Sequence, residues 1–274
     1  MVTTNATSYR YPRERLILAL TLMLVFFVIL LTATATVCLS AIFVIVAIAV
    51  SYGMNHSHHR ELLRRAYRVT AQTAPGLARL AGETAQILDI DGYQAFVVPA
   101  NKLNAYTFGL VTPQVVVLYS PILEIMDEDE LRFVIGHEMG HMRLGHTWLN
   151  SLIGGMAGIP SPFVASAVLA VAFLSWNRAC EYSADRAGLL ACGDVRKAIS
   201  ALVKIESGGT PRSRAEFDHI MRRIDAEDDT IAGSLSEALS THPMTINRIE
   251  QLQRYVASSD FRQQQAWVRQ RVER

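Results

Sequence analysis

The chain has 274 residues, half of them apolar, and 26 basic against 25 acidic side chains give a formal net charge of +1. That length holds one catalytic-sized domain plus membrane helices. Near-neutrality removes the global field of a nucleic-acid binder, so no nucleic acid is expected as a partner. Three cysteines, Cys38, Cys180 and Cys192, are odd in number and form no Cys-x-x-Cys pair, which argues against a disulfide framework and fits a reducing compartment.

Residues 1–15 form a basic segment with Arg10, Arg13 and Arg15, and from Leu16 to Val50 no residue is charged. One straight helix of that length would run about 52 Å against a hydrocarbon core of about 30 Å. The reading is therefore a transmembrane hairpin over 16–52, two arms of about 15 apolar residues joined near Thr32 to Thr36. Basic residues on both flanks, Arg60, Arg64, Arg65 and Arg68 on the far side, favour both ends in the cytoplasm. A signal peptide ending at Ala33-Thr34-Ala35 would leave a chain that begins with a second apolar run. A single tilted anchor, the other rival, would put the rest of the chain outside the cytoplasm.

Glu61 to Leu88 reads as helical, broken at Pro75-Gly76. Short strands follow at Tyr93–Val98, Ala105–Phe108 and Val115–Tyr119. An exposed edge of such a sheet can pair with an extended peptide.

The next element is a helix from about Asp127 to His146. Asp127 with Glu130 forms an N-cap and its partner three residues on, at the positive end of the helix dipole. Leu131, Val134, Ile135, Met139 and Met142 give it apolar faces. It carries His137-Glu138-Met139-Gly140-His141, in which residues four apart project from one face and can reach one ion. Glu138, about 100° around the helix, is placed to act on a water rather than on a metal. A His-Glu-x-x-His match arises by chance in roughly one chain in a hundred of this length, so context decides. Asp127, Glu128, Asp129, Glu130, Arg132 and Arg143 crowd the motif, which puts this helix in water, since charges at membrane depth are costly. His146 comes one place too early for His-Glu-x-x-His-x-x-Gly-x-x-His and about 140° off the face of His141 on a continued helix, so it reads as a structural or helix-end histidine.

Thr147 to Asn177 is again uncharged, and glycines and prolines divide it into Trp148–Ala157 and Phe163–Trp176. Residues 148–176 read as a membrane-dipping or membrane-crossing hairpin. A helix through about Leu190 then carries Glu181 and Asp185, four apart. One carboxylate could supply the third protein ligand that a catalytic zinc needs, and the other could accept the free ring N–H of a ligating histidine. Cys180 reads as a small buried residue. Glu206 to Ser236 is polar and reads as a solvated loop with a short helix. Thr241-His242-Pro243 and Asn247-Arg248-Ile249 follow; on spacing alone His242 is a loop histidine and Arg248 a solvated helix charge. The tail, 257–274, reads as one or two exposed basic helices that could lie near anionic headgroups.

Three ordered elements, Gly136-His137-Glu138-Met139-Gly140-His141, Glu181 to Asp185, and His242-Pro243 with Arg248, resemble one family. It is that of the membrane zinc metallopeptidases typified by the HtpX heat-shock protease and the type I CAAX prenyl proteases, which are gluzincins. Asn104-Ala105-Tyr106-Thr107-Phe108-Gly109 resembles their Asn-Ala-Phe segment and Val115 to Leu118 the strand after it. The resemblance covers about residues 60–256. It implies an α+β, helix-rich gluzincin domain with one zinc ion per chain, held by His137, His141 and Glu181, with Glu138 as general base. It further implies His242 as a transition-state stabiliser, Asp185 as an outer partner of the site, Arg248 as partner of the ligating carboxylate, and Asn104, Ala105, Tyr106, Thr107 and Phe108 as a substrate edge.

The function so implied is a zinc metalloendopeptidase of the EC 3.4.24 type, cutting misfolded or partly unfolded membrane polypeptides. It would be integral to a bilayer, the bacterial inner or plasma membrane, with its catalytic domain in the cytoplasm. A prenyl-peptide protease and a catalytically silent scaffold or chaperone-like binder are the alternatives. Oligomeric state is not legible in the sequence.

Overall fold

The structure is a computed structural model that describes residues 9–35, 60–109, 113–147, 164–207 and 243–272, with isolated positions 42, 45, 46 and 49. Its elements are α1 Glu14–Ala35, β1 Tyr67–Arg68, α2 Pro75–Leu88, β2 Tyr93–Val98, β3 Ala105–Phe108, β4 Gln114–Tyr119, α3 Ser120–Ile125, α4 Glu128–Leu144, α5 Val164–Cys192, α6 Val195–Ser207, α7 Pro243–Val256 and α8 Ser259–Val272. The fold is helix-rich with one small mixed sheet.

The strand order is β1-β2-β4-β3, with β2 and β4 parallel and the outer pairs antiparallel. β4 is central, and its unbroken Val115-Val116-Val117-Leu118 run is buried on both faces. Val116 and Leu118 pack into the main core with the helices, while Val115 and Val117 face a smaller cluster with Phe96, Tyr106 and Phe108. Among the described residues β3 is the outer strand, in register with β4 from Ala105 opposite Leu118 to Phe108 opposite Val115.

α4 begins and ends where its local chemistry dictates. Asp127 accepts from the Glu130 backbone N–H at 3.0 Å, and the Glu130 carboxylate accepts from the Asp127 backbone N–H at 2.9 Å, a complete capping box. Gly145 ends the helix in the left-handed region at φ 77°, a conformation that glycine adopts without steric cost. Phe133, Ile135 and Met139 on α4 join Leu189 on α5, Ile199 and Leu202 on α6, and Ile249 and Leu252 on α7 in the main core.

α4 and α5 approach to backbone contact through small residues. A Cβ built at Gly136 would meet Ala191 Cβ at 2.7 Å, and one at Gly188 would meet the Phe133 carbonyl at 2.7 Å. Any larger side chain there would wedge the helices apart.

Four expectations change. The Glu61–Leu88 stretch is not helical throughout: Tyr67–Arg68 pairs with β2, because Val97 and Phe96 offer that strand an open flank. α1 runs for 22 residues rather than about 15, since the Thr32 hydroxyl turns back onto the Val28 carbonyl at 2.7 Å and does not interrupt the helix. Positions 42, 45, 46 and 49 are helical, and the second arm of the expected hairpin otherwise lies outside the described residues. The apolar piece, described from Val164 on, continues through Arg178 into the Glu181 helix as one 29-residue α5, with no glycine or proline between them; its partner Trp148–Ala157 lies outside the described residues. Finally, α8 is docked rather than merely solvated, with Phe261 and Gln264 buried and the Phe261 ring 5.2 Å from that of Tyr255.

Within the described residues one helix, Glu14–Thr32, is long and apolar enough to cross a membrane. Leu16, Phe26, Phe27 and Leu31 stand exposed along it.

Candidate metal centre

His137 and His141 sit one turn apart on α4, their rings meeting edge to face with centroids 4.8 Å apart. Across the close α4–α5 contact Glu181 reaches both: its carboxylate oxygens lie 3.5 Å from His137 Nε2 and 3.4 Å from His141 Nε2. The two Nε2 atoms are 3.2 Å apart. These three separations fit one small ion. Ligand atoms at about 2.0–2.1 Å from a tetrahedral zinc stand about 3.3 Å from one another.

Proton placement gives a second test of fit. His137 Nδ1 lies 2.9 Å from Asp185 Oδ1, and a carboxylate can only accept, so the ring proton is on Nδ1 and Nε2 carries a lone pair. His141 Nδ1 lies 2.9 Å from His146 Nδ1, and His146 Nε2 lies 3.1 Å from Glu14 Oε1. By the same logic His146 donates from Nε2 to Glu14 and accepts at Nδ1, so His141 also turns a bare Nε2 inwards. Two lone pairs and a carboxylate converging at these distances repel unless a cation lies among them. The residues present therefore fit a zinc ion.

Arg248 on α7 closes the far side. It donates to Asp185 from Nε at 2.8 Å and from Nη2 at 2.6 Å, and its Nη1 lies 3.3 Å from Glu181 Oε2. This is no solvated helix charge. Of the sequence-derived site residues, His137, Glu138, His141, Glu181, Asp185 and Arg248 are brought together. His242 lies outside the described residues.

A cleft of about 310 Å³ opens over the cluster, walled by Asn104, by Ala105 to Thr107 of β3, by Glu138 and by Leu202. Phe108, further along the strand, does not line the cleft; it packs in the smaller cluster, its ring stacked on that of Tyr106 with centroids 5.9 Å apart. Spacing did not mark His146 as part of this assembly.

The sequence profile of peptidase family M48 matches residues 68–256. The chain belongs to peptidase family M48. It resembles the "Protease HtpX homolog" of Ralstonia nicotianae, 29% identical over 217 residues that cover 68% of this chain and 76% of that one. The homologue of the same name from Burkholderia mallei is 27% identical over the same shares. The "Plastoglobule-localized metallopeptidase 48, chloroplastic" of Arabidopsis thaliana is 25% identical over 66% of this chain, which spans 56% of the plant protein's length.

Electrostatics separate the carboxylates of this M48 site by role. Burial raises the Glu138 carboxyl above its ordinary value, and the neighbouring histidines and Thr107 offset this only in part. Burial acts in the same sense on Glu181, yet the positive charge of Arg248 holds it well below the usual carboxylate range. Asp185 is depressed too, against burial, by the charge and hydrogen bonds of Arg248. Glu181 and Asp185 thus stay ionised around the candidate metal position, while burial pushes Glu138 in the opposite direction. His146 is driven down to about 2 by burial and by the positive groups around it, so it stays neutral.

Proposed function

We propose that the protein is a membrane-anchored zinc endopeptidase that cuts partly unfolded polypeptides. The observation that carries this is the placement of Glu138 beside the His137–His141–Glu181 cluster, in the wall of a cleft whose other side is the edge strand β3.

His137, His141 and Glu181 would hold the zinc. When bound, the ion supplies Lewis acidity, lowering the pKa of a water towards about 7 and polarising a carbonyl. The work of the chain's own groups follows from their environment. An extended substrate pairs through its main chain with β3, the outer strand of the described sheet beside the cleft, so affinity depends little on side-chain identity. Glu138, its carboxyl raised by burial, takes the proton of the attacking water and delivers it to the leaving amine. His242 is assigned the stabilisation of the developing oxyanion. Arg248 is committed to Asp185 and Glu181 and acts as a positioning residue.

The test is metal content and casein cleavage for the full-length protein and for Glu138→Gln in detergent. The parent should carry one zinc per chain and cleave. Glu138→Gln should keep the metal and lose at least about two orders of magnitude in rate. Metal-loaded protein whose cleavage ignores the substitution would overturn the mechanism, and a metal-loaded parent that never cleaves would point to a scaffold or binding role.

A further inference from the structure

The segment that completes the histidine cluster lies outside the matched family region, at residues 9–14. Tyr9 is buried at 4% exposure, and Arg10 donates to the Leu144 carbonyl at 2.9 Å, the last residue of α4. The Tyr11 backbone N–H donates to Ser183 Oγ at 2.8 Å, and the Arg186 guanidinium lies 5.4 Å from the Tyr11 ring centroid. Glu14, the first residue of the apolar helix, is 1% exposed and binds Arg10, Ser183 and His146. Resting on the reading of His137, His141 and Glu181 as a metal site, we infer that Glu14 and His146 are positioning residues. Together they set the tautomer and ring orientation of His141, so the foot of the membrane helix is a working part of the metal centre.

Glu14 fixes the proton of His146 on Nε2. That leaves His146 Nδ1 as the acceptor for the Nδ1–H of His141, whose Nε2 then faces Glu181 and His137. His137 obtains the same orientation directly from Asp185, so the two histidines have matched but unequal supports: a carboxylate for one, a carboxylate acting through an imidazole for the other. Outer partners of this kind change metal affinity by about 10–100-fold when removed.

Glu14, His146 and Cys180 are also close enough to suggest a second ion site. Their existing partners argue against it. Arg10 and Ser183 take the two Glu14 oxygens, both ring nitrogens of His146 are engaged, and burial raises the Cys180 thiol, keeping it protonated. The cluster is a hydrogen-bond relay.

The test compares zinc affinity, by chelator competition, for the full-length parent and for His146→Asn, His146→Gln and His146→Leu, with apo-protein thermal midpoints measured alongside. Asparagine sets its amide oxygen where ring Nδ1 stood and keeps the acceptor for His141; glutamine sets its amide at the Nε2 place, and leucine offers nothing. Zinc affinity should stay close to the parent for Asn and fall about 10–100-fold for Gln and Leu. Equal affinity in all variants, or an Asn variant as weak as Leu, overturns the relay. A parent that takes up no zinc overturns the metal-site reading itself. Nitrogen-15 histidine spectra of the zinc-loaded parent, which need no variant, should show His146 protonated at Nε2 and His141 at Nδ1; a His146 protonated at Nδ1 refutes the inference.

Discussion

A Cβ built at Gly140 would stand 2.6 Å from the Cβ of Ala187. Real Cβ atoms do not approach so closely, and both carbons are short and belong to packed helices, so the neighbour cannot swing away. This contact sets the distance between α4 and α5, and with it the reach of Glu181 and Asp185 to the histidines. Gly140→Ala gains about 1 kcal/mol of helix propensity but overpacks the seam at a cost of about 1–3 kcal/mol. The clash should win, lowering the thermal midpoint and weakening zinc binding. Gly82→Ala is the control. Gly82 is an exposed residue of α2 with nothing within 4 Å of a built Cβ, and the same substitution there should stabilise the fold by about 0.5–1 kcal/mol. If both variants shift the midpoint in the same direction, close packing does not set the α4–α5 spacing.

Asp185→Asn should separate orientation from ligation. The carboxylate accepts from His137 Nδ1 and twice from Arg248, all within 2.9 Å. An amide keeps the shape but loses the charge and turns a donor towards one of these donors. Zinc affinity should fall about 10–100-fold, and the folded protein should lose stability because Arg248 keeps a buried charge with one partner fewer. Chelator competition and thermal melting read the two effects separately. Unchanged zinc affinity would remove Asp185 from the site.

Much of this was legible in the sequence because it obeys local rules. The α4 start follows from Asp127 and Glu130, three apart, and the ligand pair follows from helical spacing. His146 was not legible, for a definite reason. An angle of about 140° from His141 assumes that the helix continues, but Gly145 turns left-handed and brings His146 back beneath His141. Arg248 looked like a solvated charge since its partners, Asp185 and Glu181, lie more than sixty residues away, and only tertiary packing joins them.

Asp127 carries a pH signature. Burial raises its carboxyl, but Lys197 and the Glu130 backbone N–H outweigh that and hold it below its ordinary value. A carboxyl depressed in the folded state stabilises the fold above the unfolded-state pKa, about 3.9, and that contribution is lost as pH falls through the folded value. Asp127→Ala should therefore cost about 0.5–2 kcal/mol at neutral pH, with the gap to the parent narrowing below about pH 4. A gap that stays constant down to pH 2 would show that the charge of the cap contributes nothing.

Membrane topology follows from where α1 begins. Arg10 and Tyr11, just ahead of it, are bonded to Leu144 and Ser183, so the start of the helix and the metal centre share one side of any bilayer that α1 crosses. A chain that crosses within Glu14–Thr32 emerges on the opposite side, and it must cross again before Arg60 to supply the domain that grips Arg10. If α1 does cross, these contacts are compatible with the hairpin expected from the sequence and not with a single crossing. With Arg10, Arg13 and Arg15 ahead of α1, the expected address of that shared side is the cytoplasm. A tag placed after Arg274 should be digested when protease is added to vesicles with the cytoplasmic face outward. A tag protected in those vesicles, with the metal centre intact, would overturn the hairpin with both ends in the cytoplasm.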